Sequence, residues 1–104
     1  METVLLTEAH RRYGQFGFPS PDKIIVARRL SNEAGRYCFI SHQGHLNIAD
    51  GNIPLAQVGL GNGAVLMVAN LRVEANSATC LELIVVGEEP WDGEEPEPIV
   101  LFLD

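Results

Sequence analysis

The sequence predicts a mainly β domain: a small antiparallel barrel or sandwich of six or seven short strands with a short N-terminal helix. Apolar and β-branched runs recur at roughly 8–12-residue spacing, and short turn-forming segments separate them. The chain has 104 residues and no internal repeat, which fits one domain. We therefore treat residues 1–104 as a single domain, in which an acidic, proline-rich loop at 88–98 precedes the last strand.

The first element that the pattern predicts is a helix over residues 7–13. Thr7 can cap its N-terminus, and Glu8 and Ala9 are good helix formers. Gly14, Gly17 and Pro19 then end it.

Three strands are predicted next. Residues 23–30 form the first, residues 31–35 its turn, and residues 36–42 the returning strand. Apolar and polar residues alternate over 45–48, which favours a third strand. Asp50-Gly51 then gives a strong hairpin signal, because both central residues of a type I′ turn need positive φ.

The clearest hairpin covers residues 64–86. A continuous apolar run starts at Ala64 and alternates through Glu74, residues 75–78 form a turn, and residues 79–86 return. A helix over 64–78 is the alternative, because this segment lacks proline and glycine. Residues 99–103 are all apolar and predict the last strand.

The charge is segregated along the chain. The formal net charge is −7, but residues 1–72 hold seven basic and five acidic side chains, whereas residues 73–104 hold nine acids and no lysine or arginine. Six of these acids lie in the acidic, proline-rich loop. An acidic segment interrupted by prolines is typical of a solvated loop, and its charge would steer a basic partner.

Composition excludes several classes. No apolar run approaches the ~20 residues of a membrane-spanning helix, and no secretion signal is recognisable at the N-terminus. A sequence pI near 4.8 argues against a general nucleic-acid binder. We expect a protein of the cytoplasm or of an assembled particle, with no membrane partner.

Residues 59–64 match the G-x-G-x-x-G/A pattern of dinucleotide sites. Such a site needs a buried parallel strand before the glycines and a helix after them, and Pro54 conflicts with that strand. The interpretation we favour is a glycine-rich loop between strands, with no cofactor.

Cys38, His42, His45 and Cys80 are the ligand types of a zinc site, but the two cysteines lie 42 positions apart. Their apolar neighbours favour two buried, reduced thiols, although a disulfide is geometrically possible if their strands adjoin. On a strand, Cys38 and His42 lie roughly 13 Å apart and form no catalytic dyad. We therefore expect no metal, no catalytic residues and no enzyme.

Three aromatic residues, Tyr13, Phe16 and Phe18, follow Arg11 and Arg12. Arginines interleaved with aromatics are typical of surfaces on which RNA bases stack. The acidic net charge favours instead an N-terminal arm whose aromatics contact the domain or a neighbouring subunit, so we take these three as candidate assembly contacts.

The function that these observations predict is that of a small, non-enzymatic binding or inhibitory protein that engages a basic protein surface. Trp91 is the single tryptophan and could anchor such a contact, since tryptophan is enriched at binding hot spots. The alternative is a structural subunit of a larger, for example viral, assembly or a homo-oligomer. The candidate partner-binding residues are those of the loop: Glu88, Glu89, Trp91, Asp92, Glu94, Glu95 and Glu97.

Overall fold

One helix and one open antiparallel sheet make up the described fold. The computed structural model describes residues 1–61, 63–95 and 98–102. The elements in these ranges are helix α1 (Glu2–Tyr13) and strands β1 (Ile25–Asn32), β2 (Gly35–Ser41), β3 (Gly51–Leu60), β4 (Val65–Glu74), β5 (Ser77–Val85) and β6 (Ile99–Phe102). Two short 3₁₀ turns, Gly14–Phe16 and Pro21–Lys23, lie between α1 and β1.

The strand order is β1-β2-β5-β4-β3-β6, and every neighbouring pair is antiparallel. The predicted mainly β fold with a short N-terminal helix is therefore confirmed. The sheet stays open, with β1 and β6 as its edges, rather than closing into a barrel. No helix in the described part of the chain is long and apolar enough to cross a membrane.

Residues 65–74 form a strand, so the helix alternative for 64–78 is wrong. On β4, Met67, Ala69, Leu71 and Val73 are buried, and the residues between them are partly or fully exposed. This period of two places one side of the strand against the core, as a half-buried strand requires. The following turn at Ala75 and Asn76 has φ of 50° and 64°, the left-handed values that a tight type I′ hairpin needs.

Helix α1 begins at Glu2, five residues before the predicted start. Leu5, Leu6 and Ala9 lie on one side of the helix and are buried in the core. No side chain caps the N-terminus, so packing of this apolar stripe, rather than a cap at Thr7, supports the first turn.

The predicted strand at 45–48 and the predicted hairpin turn at Asp50-Gly51 are both wrong. Residues 42–50 contain no strand, because their hydrogen bonds go to distant segments: the Leu46 N–H donates to the Asn76 carbonyl at 2.8 Å, and the Asn47 N–H to the Phe16 carbonyl at 2.8 Å. Gly51 starts β3 with φ of 142°. The segment thus connects β2 to a strand three positions away in the sheet.

The two faces of the sheet differ in what covers them. The inner face packs against α1 and carries most of the core, including Cys38, Leu81, Leu71 and Ala69. We call the opposite side the outer face, and no described element packs on it. The strand register places three rows of side chains on the outer face, each row running across neighbouring strands. The rows are Leu101, Gln57, Val68 and Ile84; Asn70, Glu82, Tyr37 and Leu30; and Arg72, Cys80, Phe39 and Arg28.

Candidate functional site

Residues 88–95, the described acidic part of the predicted loop and hereafter the acidic loop, fold back onto the chain at Trp91. Its indole is 3% exposed and belongs to the core. The indole Nε1–H donates to the Glu94 carbonyl at 2.6 Å, and the Trp91 backbone N–H donates to the Glu33 carbonyl at 3.2 Å. The second bond joins the loop to the turn between β1 and β2.

Arg36, at the start of β2, holds the loop from the other side. Its guanidinium carbon lies 4.5 Å from the centre of the Trp91 ring, within the range of a cation–π contact. The same guanidinium donates to Glu95 Oε1 at 2.9 Å and to the Gly93 carbonyl at 3.0 Å. We call Arg36, Trp91 and Glu95 the anchor of the acidic loop.

The loop sequence supplies its own turn between these contacts. Asp92 Oδ1 accepts the Glu94 N–H at 2.9 Å, an Asx-type turn that replaces a backbone hydrogen bond. Gly93 has a φ of 89°, a left-handed backbone conformation that residues with a side chain rarely adopt. The loop therefore has a defined conformation from Trp91 to Glu95, because local turn chemistry and the anchor act on the same residues.

The anchor leaves a group of carboxylates facing solvent at one end of the sheet. Glu95 is paired with Arg36, and the N-terminal ammonium lies 3.9 Å from its other oxygen. At this end of the sheet, the exposed acids for which no ion pair is found among the described residues are Glu33, Glu88, Glu89, Asp92 and Glu94, which we call the acidic surface. Glu97, predicted with them, lies outside the described residues.

Two clefts border the acidic loop. The first, of about 390 Å³, lies between residues 31–33 and residues 90–93. The second, of about 550 Å³, lies between the start of α1 and residues 93–95, with Arg36 in its wall. Both clefts open to solvent: Pro90 and Trp91 line the first beside Glu33 and Asp92, and the second holds Arg36 and Met1 beside the carboxylates of Glu2, Glu94 and Glu95.

The three aromatics predicted as assembly contacts have different positions. Phe16 is exposed, Tyr13 is half-buried with its ring centre 6.4 Å from that of Phe16, and Phe18 is buried in the core. Among the three, Phe16 offers the most accessible ring for a contact with another molecule.

The described residues of the glycine-rich segment end β3 and lead into β4, as expected of a glycine-rich loop between strands. Gly59 and Leu60 end β3, and β4 begins at Val65 and pairs antiparallel with it. No helix N-terminus follows the glycines, so the strand–turn–helix geometry on which dinucleotide binding depends is not formed.

The cysteines and histidines do not come together. Cys38 and Cys80 are on adjacent strands, but Cys38 faces α1 and Cys80 lies on the outer face, so both thiols are free. His42 is half-buried, and its Nε2 accepts the Ala78 N–H at 3.0 Å. His45 is exposed. Across residues 1–61, 63–95 and 98–102, no three His, Cys, Asp or Glu side chains form a metal-binding group.

Burial also lowers the reactivity of the thiols. Desolvation, with the Glu2 carboxylate 3.4 Å from its sulfur, raises the pKa of Cys38 to about 12. Burial, and then the charge of Glu82, raise the pKa of Cys80 to about 11. A nucleophilic or metal-binding cysteine requires the opposite shift, because the thiolate is the reactive form.

Sequence reasoning did not identify Arg36 or Glu33 as parts of this site. Arg36 reads as an ordinary polar residue at a strand end, and only the fold brings it to Trp91, 55 positions along the chain. One signal in the sequence pointed to such a residue. A buried tryptophan among carboxylates is covered by a cation or by an apolar surface. Any such cation must come from the first 72 residues, because all the basic residues lie there.

Comparison of the chain with protein-family models, with curated proteins and with solved structures found no match in any of the three.

Proposed function

We propose that this protein is a small, non-enzymatic binding or inhibitory protein whose acidic surface engages a basic surface of a partner protein. The observation that carries the proposal is the anchored loop, which presents Glu88, Glu89, Asp92 and Glu94 beside Glu33 with no described cation paired to them. Opposite charges steer encounter and set specificity at such surfaces.

The anchor makes this surface suitable for recognition rather than only for solubility. A loop held at Trp91 and Glu95 loses less conformational freedom on binding than an unanchored acidic segment does. Within this proposal Trp91 has a supporting role: its buried ring positions the loop, and the carboxylates make the contact.

Absence of catalytic activity is part of the proposal, and two observations support it. Both thiols are buried with raised pKa values. Both ring nitrogens of His42 are hydrogen-bonded to backbone groups of Gln43 and Ala78, so His42 is not a free base. We further propose that the protein acts in the cytoplasm or within an assembled particle.

The experiment is affinity capture of the tagged chain from its native host at low and at high salt. We expect a basic protein that high salt releases, because exposed charge pairs are screened. The test variant carries Glu88→Gln, Glu89→Gln and Glu94→Gln, and capture should be strongly reduced.

A matched control removes the same number of charges elsewhere, with Asp22→Asn, Asp50→Asn and Glu74→Gln. This control should capture the partner as the wild type does. Equal capture by the loop variant, or a partner held without salt dependence, would show that the acidic surface does not make the contact.

A second candidate function, a subunit of a larger assembly, is favoured by edge strand β6. Ile99–Phe102 carries only apolar side chains and pairs with β3 without a bulge, whereas the other edge has a bulge between Val26 and Arg28. An unprotected apolar edge favours pairing with another chain. Light scattering should then detect species larger than two copies that Phe102→Lys dissociates; their absence at high concentration would exclude this candidate.

A further inference from the structure

The outer face carries an apolar patch at the end where β3 meets β4 and where β5 ends. Leu66, Val86, Ile99 and Leu101 are 47%, 60%, 54% and 61% exposed, and Val68 and Ile84 lie beside them. Four large apolar side chains this exposed on one surface are unusual for a monomer. Burying them against another surface would be favourable, because it removes apolar area from water.

The patch is shaped as well as apolar. Gly59 lies between Ile99 and Leu66 in one row across β6, β3 and β4, and having no side chain it leaves a notch between them. These residues, with Val86 and Leu101, line a groove of about 390 Å³. A groove of this kind can receive a side chain from a facing surface, which a flat sheet cannot.

The rest of the outer face mixes apolar and polar side chains and is balanced in charge. Its described charged side chains are Arg28, Arg72, Glu74 and Glu82, two of each sign. Arg72 Nε lies 2.9 Å from Glu82 Oε1, and Glu82 is buried although no element covers this face. A surface without excess charge lets a chain of net charge −7 approach its own copy without local repulsion, and the outer face meets that condition.

The area of the outer face also agrees with a second copy of the chain as the molecule that covers it. Six strands at a spacing of ~4.8 Å and about seven residues of ~3.4 Å rise give a projected face of roughly 600 Å². Two such faces together would bury about 1,200 Å², the lower end of the range for specific interfaces.

We propose that the outer face is the interface of a homodimer, in which two copies pack sheet against sheet across a two-fold axis with the patch around Leu66 and Val86 inside. A neutral, apolar surface does not suit the basic partner of the acidic surface, so this interface is separate from the proposed binding site. The two functions are compatible, since the acidic loop is anchored toward β1 and β2.

The test is sedimentation equilibrium of the full chain from about 1 to 500 μM. We expect a species of twice the 11.4 kDa chain mass. Leu66→Lys with Val86→Lys should raise the dimer dissociation constant at least ~100-fold, because a two-fold axis places each introduced charge at the interface twice. Val4→Lys is the matched control, since Val4 is 46% exposed, lies on α1, and should leave dimerisation unchanged.

Salt separates this interface from the acidic surface. The dissociation constant should change less than about threefold between 0.05 and 0.5 M salt, because apolar contacts are not screened. Should the lysine variant lose its circular dichroism spectrum, Leu66→Ala with Val86→Ala replaces it, with about a tenfold weakening expected.

A wild-type chain that stays monomeric throughout, a dimer that salt dissociates, or a dimer equally sensitive to Val4→Lys would each overturn the assignment. None of these results bears on partner capture, which is scored separately with the loop variants.

Discussion

Replacing Arg36 with methionine tests whether the anchor holds the acidic loop. Methionine keeps the aliphatic stem but removes the guanidinium that stacks on Trp91 and binds Glu95 and the Gly93 carbonyl. The cation–π contact contributes about 0.5–2 kcal/mol, the half-buried ion pair about 0.5–1 kcal/mol, and the charged hydrogen bond about 1.5 kcal/mol.

These contacts share one side chain and are not additive, so we expect Arg36→Met to destabilise loop docking by about 2–3 kcal/mol. The population of the undocked loop then rises by roughly 30- to 150-fold. Undocking exposes the indole that is now 3% accessible, and the urea midpoint of unfolding falls because Trp91 also belongs to the core.

Trp91 is the only tryptophan in the chain, so its fluorescence reports the loop without labelling. We expect a red-shifted emission maximum and easier quenching by iodide in Arg36→Met. Arg28→Met is the control, because Arg28 is exposed on β1 and has no ion pair among the described residues. An unchanged emission maximum, with an unfolding free energy within about 0.5 kcal/mol of wild type, would refute the anchor.

Three further results are expected. A thiol reagent at pH 8 should label neither cysteine in the native protein but both in urea, because burial keeps each thiol protonated; rapid native labelling would contradict this. Glu2→Gln should lower stability at pH 7 by no more than about 1 kcal/mol, since the pair is part-exposed. The hydrogen bond from Arg29 lowers the pKa of Glu2, so its stabilising effect is lost once Glu2 is protonated. The difference in unfolding free energy between Glu2→Gln and wild type, measured by urea titration, should therefore disappear as pH falls below the usual glutamate range. A difference that stays constant with pH would exclude this pair as the cause. Gly35→Ala should lower the free energy of unfolding by more than about 2 kcal/mol, because its Cβ would lie 2.0 Å from a β5 carbonyl oxygen. Gly51→Ala is the control: Gly51 has a similar φ but open space around it, so this change should lower stability clearly less. Equal losses in the two variants would argue against the clash.

The fold class could be predicted from the sequence because strand patterns are local. The segments later found as β2, β4 and β5 carry apolar runs between turn residues, and in β4 burial alternates with a period of two, which burial on one face is enough to produce. Two segments could not be predicted, because each is stabilised by a partner from elsewhere in the chain. The first half of α1 packs its Leu5 in the core against the sheet, and the path of residues 45–50 depends on the bond from the Leu46 N–H to the Asn76 carbonyl.

The candidate site divides in the same way. The acidic loop could be found from charge and proline alone, whereas the turn at Asp92 and Gly93 was not predicted. The role of Trp91 could not, since the residue that decides whether its ring is free or covered is Arg36, on a strand far along the chain. A tryptophan among carboxylates is compatible with either outcome until the fold places that guanidinium.

The sequence by itself determined a mainly β fold class and an acidic composition with the negative charge concentrated near the C-terminal end, because composition and period are properties of neighbours along the chain. Only the tertiary structure decided that Trp91 is buried, that Cys38 and Cys80 face opposite sides of the sheet, and that an apolar, charge-balanced face is left uncovered. Strand order and register decide these features, and both depend on contacts between residues far apart in sequence, which no local pattern encodes.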